Sequence, residues 1–200
     1  MEYLKLNPFQ LDALKEVGNI GAGNAATALS QLINKKVNMS VPSVNIIPLS
    51  DIFSAVSGEE VSVGIVVRVL GDIPGNVLIM LDEESALNIT SEMIGKKQEE
   101  INEMGSSALC ELGNIISTSY MNAIASLTKM LILPSVPAVT VDMFGAILST
   151  TFIESGQCDD YVLDIETVFL GLNSKENGCH FYYIPMPGSL DKILNSLGVK

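Results

Sequence analysis

Apolar residues recur at steps of three and four along Leu11, Leu14, Gly18, Ala22, Ala25, Leu29 and Leu32, the period of a long amphipathic helix. Asn7 before Pro8 supplies an N-cap with proline at the first helical position. The same period returns in Leu109, Leu112, Ile116, Tyr120, Ala123 and Leu127. A proline and an extended segment follow each helix, at residues 41–49 and 136–143. Residues 61–70 and 76–81 read as strands joined by a turn at Pro74 and Gly75. Residues 161–172 and 180–185 match them, with a turn at about 173–178. Residues 82–94 and 189–197 read as short closing helices. The expected order is helix–strand–strand–strand–helix, twice.

Residues 13–44 and 108–139 align without a gap at an offset of 95, with 12 of 32 positions identical. The chain therefore reads as one domain, 1–200, built from two repeats at about 8–97 and 103–198. The fold class this implies is α/β, of the α+β kind. Two pseudo-twofold units share one antiparallel-type sheet, with the long helices on one face.

A polar pattern is duplicated along with the apolar one. Copy one carries Asp12, Glu16 and Asn19, then 22 residues, then Pro42; copy two carries Ser107, Glu111 and Asn114, then 22 residues, then Pro137. Spacings of four and three put each triplet on one helical face, away from the apolar stripe. Core packing does not account for a repeated solvent-facing block. Gly18 and Gly113 sit mid-helix at a cost of roughly 1 kcal/mol each relative to Ala. Close helix packing or close approach of a partner would explain them. The prolines read as structural, ending the approach to each strand.

Composition narrows the chemistry. Hydrophobic content of 48% with 17% charged residues describes a folded chain with a large core. A net charge of −12 argues against nucleic acid and against an anionic membrane surface. No apolar run is long enough to span a bilayer and the N-terminal residues do not read as a signal peptide, so a cytoplasmic protein is expected. Cys110, Cys158 and Cys179 form no CxxC pair, and His180 is the only histidine. No metal site is expected, and nucleophilic catalysis would rest on Cys179 and His180, which point to opposite faces of a strand. Gly21-x-Gly23-x-x-Ala26 mimics a dinucleotide fingerprint, but it lies inside a helical pattern.

The repeated Asp/Ser-x3-Glu-x2-Asn block with its downstream proline resembles the signature of the CheC, CheX and FliY chemotaxis phosphatases, over essentially the whole chain. Two intact copies resemble the CheC branch rather than CheX, which keeps one. A FliY-type protein would continue into a C-terminal switch domain. The resemblance implies hydrolysis of the phosphoaspartate of the response regulator CheY, in bacterial or archaeal chemotaxis, coupled to the receptor deamidase CheD. Such an acyl phosphate needs water attack and no enzyme nucleophile. Phosphoryl transfer mostly needs positioning and charge stabilisation. A carboxamide accepts from water through its oxygen and donates to a phosphoryl oxygen through its NH2, which makes Asn19 and Asn114 the candidates. The resemblance implies that Glu16 and Glu111 pair with a lysine of the regulator, with Asp12 and Ser107 as supporting contacts. Mg²⁺ would belong to the regulator, and the protein would need no cofactor of its own. CheD is expected on Phe144, Gly145, Ala146, Ile147 and Leu148, a segment richer in small residues than its counterpart in copy one. The chain is expected to act as a monomer. The alternative is a non-catalytic adaptor that binds phosphorylated CheY or CheD through the same surfaces.

Overall fold

A computed structural model describes residues 7–55, 60–155, 160–170 and 177–198. The elements run α1 (Pro8–Ile33), β1 (Asn38–Pro48), α2 (Leu49–Ala55), β2 (Val61–Gly71), β3 (Gly75–Asp82), α3 (Glu83–Ile94), α4 (Glu103–Thr128), β4 (Ile132–Pro134), β5 (Ala138–Met143), α5 (Phe144–Ser155), β6 (Tyr161–Leu170), β7 (Asn177–Pro185) and α6 (Ser189–Ser196). The turn expected at 173–178 lies largely outside the described residues, as does Cys158.

The two long helices are matched in length and ends. Each has 26 residues. Asn7 closes a capping box with Gln10 on α1: its side chain accepts the Gln10 N–H at 3.0 Å, and the Gln10 side chain accepts the Asn7 N–H at 2.9 Å. Asn102 caps α4 by accepting the Gly105 N–H at 3.0 Å. Asn34 and Lys129 end the helices with φ of +52° and +61°, the left-handed cap that satisfies the last carbonyls.

One antiparallel sheet of seven strands runs through both halves in the order β1-β6-β7-β3-β2-β4, with β5 also pairing with β2. The central pair is β3 and β7, with Ile79 opposite Phe181. Each edge strand lies beside the hairpin of the other half: β1 pairs with β6, and β5 with β2. The halves therefore interlock rather than abut.

Side-chain alternation divides the sheet into two faces. Val63, Ile65, Val67, Ile79, Ile165 and Phe181 pack under α1, α3, α4 and α6 in the larger core. Leu78, Met80, Val162, Tyr182 and Ile184 face the other way, under α2 and α5. This second layer corrects the expectation of three strands in unbroken succession within each unit. The α5 segment, Phe-Gly-Ala-Ile-Leu-Ser-Thr-Thr-Phe-Ile, expected as a docking surface outside the repeated strand order, is a helix laid on the second face of the sheet. Gly64 makes room for it: a Cβ there would lie 2.6 Å from Ile147 Cγ2.

The strand expected at 136–143 is β5, and a further short strand, β4, precedes it, separated from it at Ser135–Pro137. Proline lacks the ladder N–H, which explains the break. In β1 the register shifts between Ser40 and Ser43, around Pro42. Both signature prolines thus sit at an irregularity of an edge strand.

Candidate functional site: two exposed polar stripes on the long helices

Asp12, Glu16 and Asn19 lie along one exposed stripe of α1; Ser107, Glu111 and Asn114 lie along the corresponding stripe of α4. Among the described residues, the side chains of Glu16, Asn19, Glu111 and Asn114 make no hydrogen bond or ion pair. Ser107 Oγ donates to the Glu103 carbonyl at 3.0 Å within its own helix. The four principal side chains are thus open to a partner, and no internal bond would have to break on docking.

The inward face of each helix explains its placement. A Cβ on Gly18 would lie 3.2 Å from methyl carbons of Val41 and Val44 and 3.7 Å from Ile165. A Cβ on Gly113 would lie 2.4 Å from Ile65 Cγ2 and 3.4 Å from Pro137. The glycines let each helix sit close on the shared sheet, so close packing and not a partner accounts for them. Each helix rests on an isoleucine of the other half, Ile165 under α1 and Ile65 under α4. Where the helices cross, a Cβ on Gly21 would lie 2.4 Å from the Tyr120 ring. That ring is fixed by a 2.8 Å hydrogen bond between its hydroxyl and Thr167 Oγ1.

Pro137 is buried, and its carbonyl accepts a long bond from Cys110 Sγ–H at 3.7 Å. It carries the chain against α4 between Cys110 and Gly113, directly behind Glu111 and Asn114. Pro42 holds the equivalent sequence position in β1. Cys110 adds a contact that its sequence context did not mark.

The other expected sites lie elsewhere. Gly21, Gly23 and Ala26 are interior residues of α1, so no strand-to-helix phosphate loop exists there. His180 sits on the sheet face away from the long helices, with Nδ1 3.1 Å from Asp164 Oδ1 and its ring stacked on Tyr182. The Asp164 hydrogen bond holds the imidazole above its ordinary pKa, against the opposing effect of burial; the charges of Asp164 and Glu166 add to the rise. Cys179 points to the opposite face and is buried, which pushes its thiol up. The pair is therefore split across the sheet.

Of the five residues expected to meet CheD, Ile147 and Leu148 are buried in the second core. Phe144, Gly145 and Ala146 are half-buried. The outward residues of α5 are Ser149, Thr150 and Ile153, the last 80% exposed. The correction is one of helical phase: residues 147, 148 and 151 form the inward stripe. No helix among the described residues is long and apolar enough to cross a membrane.

Comparison with known proteins agrees with this geometry. Residues 9–46 match the CheC-like family, and residues 63–147 match the chemotaxis phosphatase CheX. The chain is 37% identical over 196 residues to the CheY-P phosphatase CheC of Bacillus subtilis, covering 94% of both chains. Its fold is similar to that of Thermotoga maritima FliY, with a TM-score of 0.77 at 24% identity, over 96% of this chain and 98% of that one. It is also similar to a chain of the CheX–CheY–BeF3–Mg²⁺ complex of Borrelia burgdorferi, with a TM-score of 0.52 at 16% identity, over 83% and 96% respectively. The fold, the paired helices and these matches define the class as the chemotaxis phosphatases, and hence an enzyme. The chain belongs to the CheC family.

Proposed function

We propose that this protein hydrolyses the phosphoaspartate of the response regulator CheY, at two sites built on α1 and α4. The observation that carries the reading is the pair of exposed Glu-x2-Asn stripes, unpartnered among the described residues and each seated against the sheet. The B. subtilis relative is named for CheY-P hydrolysis. The Borrelia complex supports CheY as partner, with BeF3 standing in for the phosphoryl group.

In the proposed step, water attacks phosphorus in line with the aspartyl oxygen. The new P–O bond forms as the bond to the aspartyl oxygen breaks, giving a free carboxylate and inorganic phosphate. The carboxamide oxygen of Asn19 or Asn114 accepts from the attacking water, and its NH2 donates to an equatorial phosphoryl oxygen. Glu16 or Glu111, one turn away, meets the regulator's active-site lysine and fixes the helix over the phosphate. Asp12 and Ser107 extend the contact. Mg²⁺ is carried by the regulator, where it neutralises the phosphoryl charge. The two halves act as duplicated units of one domain, each with its own site. CheD docks on the far side of the sheet, on the outward surface of α5.

Phosphate release from excess phosphorylated CheY tests the reading. Catalytic amounts of this protein should release many equivalents of phosphate per chain. Formation of a complex with at most one equivalent released per site would instead identify an adaptor.

A further inference from the structure

We infer that Phe9 and Met104 are apolar docking anchors that extend each polar stripe by one helical turn, and that the phosphorylated regulator covers them. The inference rests on the proposed reading of the stripes. Phe9 is 75% exposed and Met104 62%, and neither belongs to either core. They are equivalent at the offset of 95 that relates the two triplets, each at the second position of its helix.

Helical phase ties them to the site. Phe9, Asp12, Glu16 and Asn19 follow at steps of three, four and three, as do Met104, Ser107, Glu111 and Asn114, so each quartet spans roughly 80° of its helix. Leu32 and Leu127 are another equivalent exposed pair, but they lie roughly 140° round the helix from Phe9 and Met104. Twice, then, a large apolar side chain stands in water at the head of the polar stripe. Neither has a capping role, since Asn7 and Asn102 cap the helices.

The spacing defines the partner's footprint. Ten residues at 1.5 Å put the anchor about 15 Å along the axis from the carboxamide and about 10 Å from the glutamate. The regulator would present an apolar patch that far from its lysine. Burial of a Phe or Met side chain adds affinity without touching the reacting atoms, so the effect falls on KM and not on kcat.

The test is steady-state phosphate release by Phe9→Ala/Met104→Ala over a range of phosphorylated CheY, with calorimetric binding of BeF3-activated CheY. KM and Kd should rise about tenfold or more with kcat within twofold, and Phe9→Leu/Met104→Leu should restore most of the affinity. Leu32→Ala/Leu127→Ala should leave both constants unchanged. Unchanged KM and Kd in a folded Phe9→Ala/Met104→Ala variant would overturn the anchors while leaving the phosphatase reading intact. If the wild-type chain binds activated CheY without turnover, the phosphatase reading fails, and the Kd comparison still decides the anchors.

Discussion

Glu16 and Glu111 are exposed carboxylates that make no hydrogen bond or ion pair among the described residues, which leaves them available to a partner. An ion pair with a regulator lysine steers and orients, and salt screens it. The variant Glu16→Gln/Glu111→Gln should therefore raise KM by up to about fivefold, roughly 0.2–1 kcal/mol per site, while folding is untouched. Its KM should also depend less on ionic strength than that of the wild type. An unchanged salt slope would remove the glutamates from the contact. At this scale the sequence was highly legible: the spacing and repetition of Glu16, Asn19, Glu111 and Asn114 predicted exposed side chains, and all four are exposed. Phe9 and Met104 escaped because one apolar residue in a first helical turn looks like any other until its exposure is known. Ile147 and Leu148 are buried rather than exposed; small and apolar residues suit a docking surface and a core equally well, and their sequence does not separate the two.

The long helices depend on how closely they approach the sheet, and the two glycines differ in this respect. Alanine at either position gains about 1 kcal/mol of helix propensity. At Gly113 the new Cβ would meet Ile65 Cγ2 at 2.4 Å, a β-branched methyl pinned in the sheet, and relieving such a clash costs about 1–3 kcal/mol. At Gly18 the neighbours stand at 3.2 Å and yield with a small shift. Gly113→Ala should thus lower the urea midpoint and reduce turnover at the neighbouring Asn114, whereas Gly18→Ala should be near neutral; the reverse order would contradict this packing. On the other face, the Asp164 contact raises the folded pKa of His180. The stability it contributes is fully present below the unfolded value near 6.5 and is lost as pH rises through the folded value. Denaturation midpoints of the wild type relative to His180→Gln should therefore decline as pH rises above that point. A difference independent of pH between 5.5 and 8.5 would show that the pair contributes nothing. Long amphipathic helices, α3 and the central hairpins were readable from period and turn chemistry. By contrast, α2 and α5 carry weak amphipathic signals, and β4, at three residues, is too short for a strand period to show.

The whole molecule is held together by exchange between its halves: β1 completes the hairpin of the second half, β5 that of the first, and each site helix sits on the other half's isoleucine. Residues 1–100 expressed alone should lack a cooperative unfolding transition, and mixing with residues 101–200 should restore one. Each long helix nevertheless presents its own complete stripe, so the sites should work separately. Independent sites give nearly additive effects, whereas residues acting as one unit do not. Phosphate release from phosphorylated CheY by Asn19→Ala, Asn114→Ala and the double variant measures this directly. Each single variant should keep a substantial fraction of wild-type turnover, the two remainders together approximating the whole. The folded double variant should bind BeF3-activated CheY yet hydrolyse nothing above the regulator's own rate. Retained turnover in the double variant, or complete loss in either single one, would contradict two asparagine-based sites.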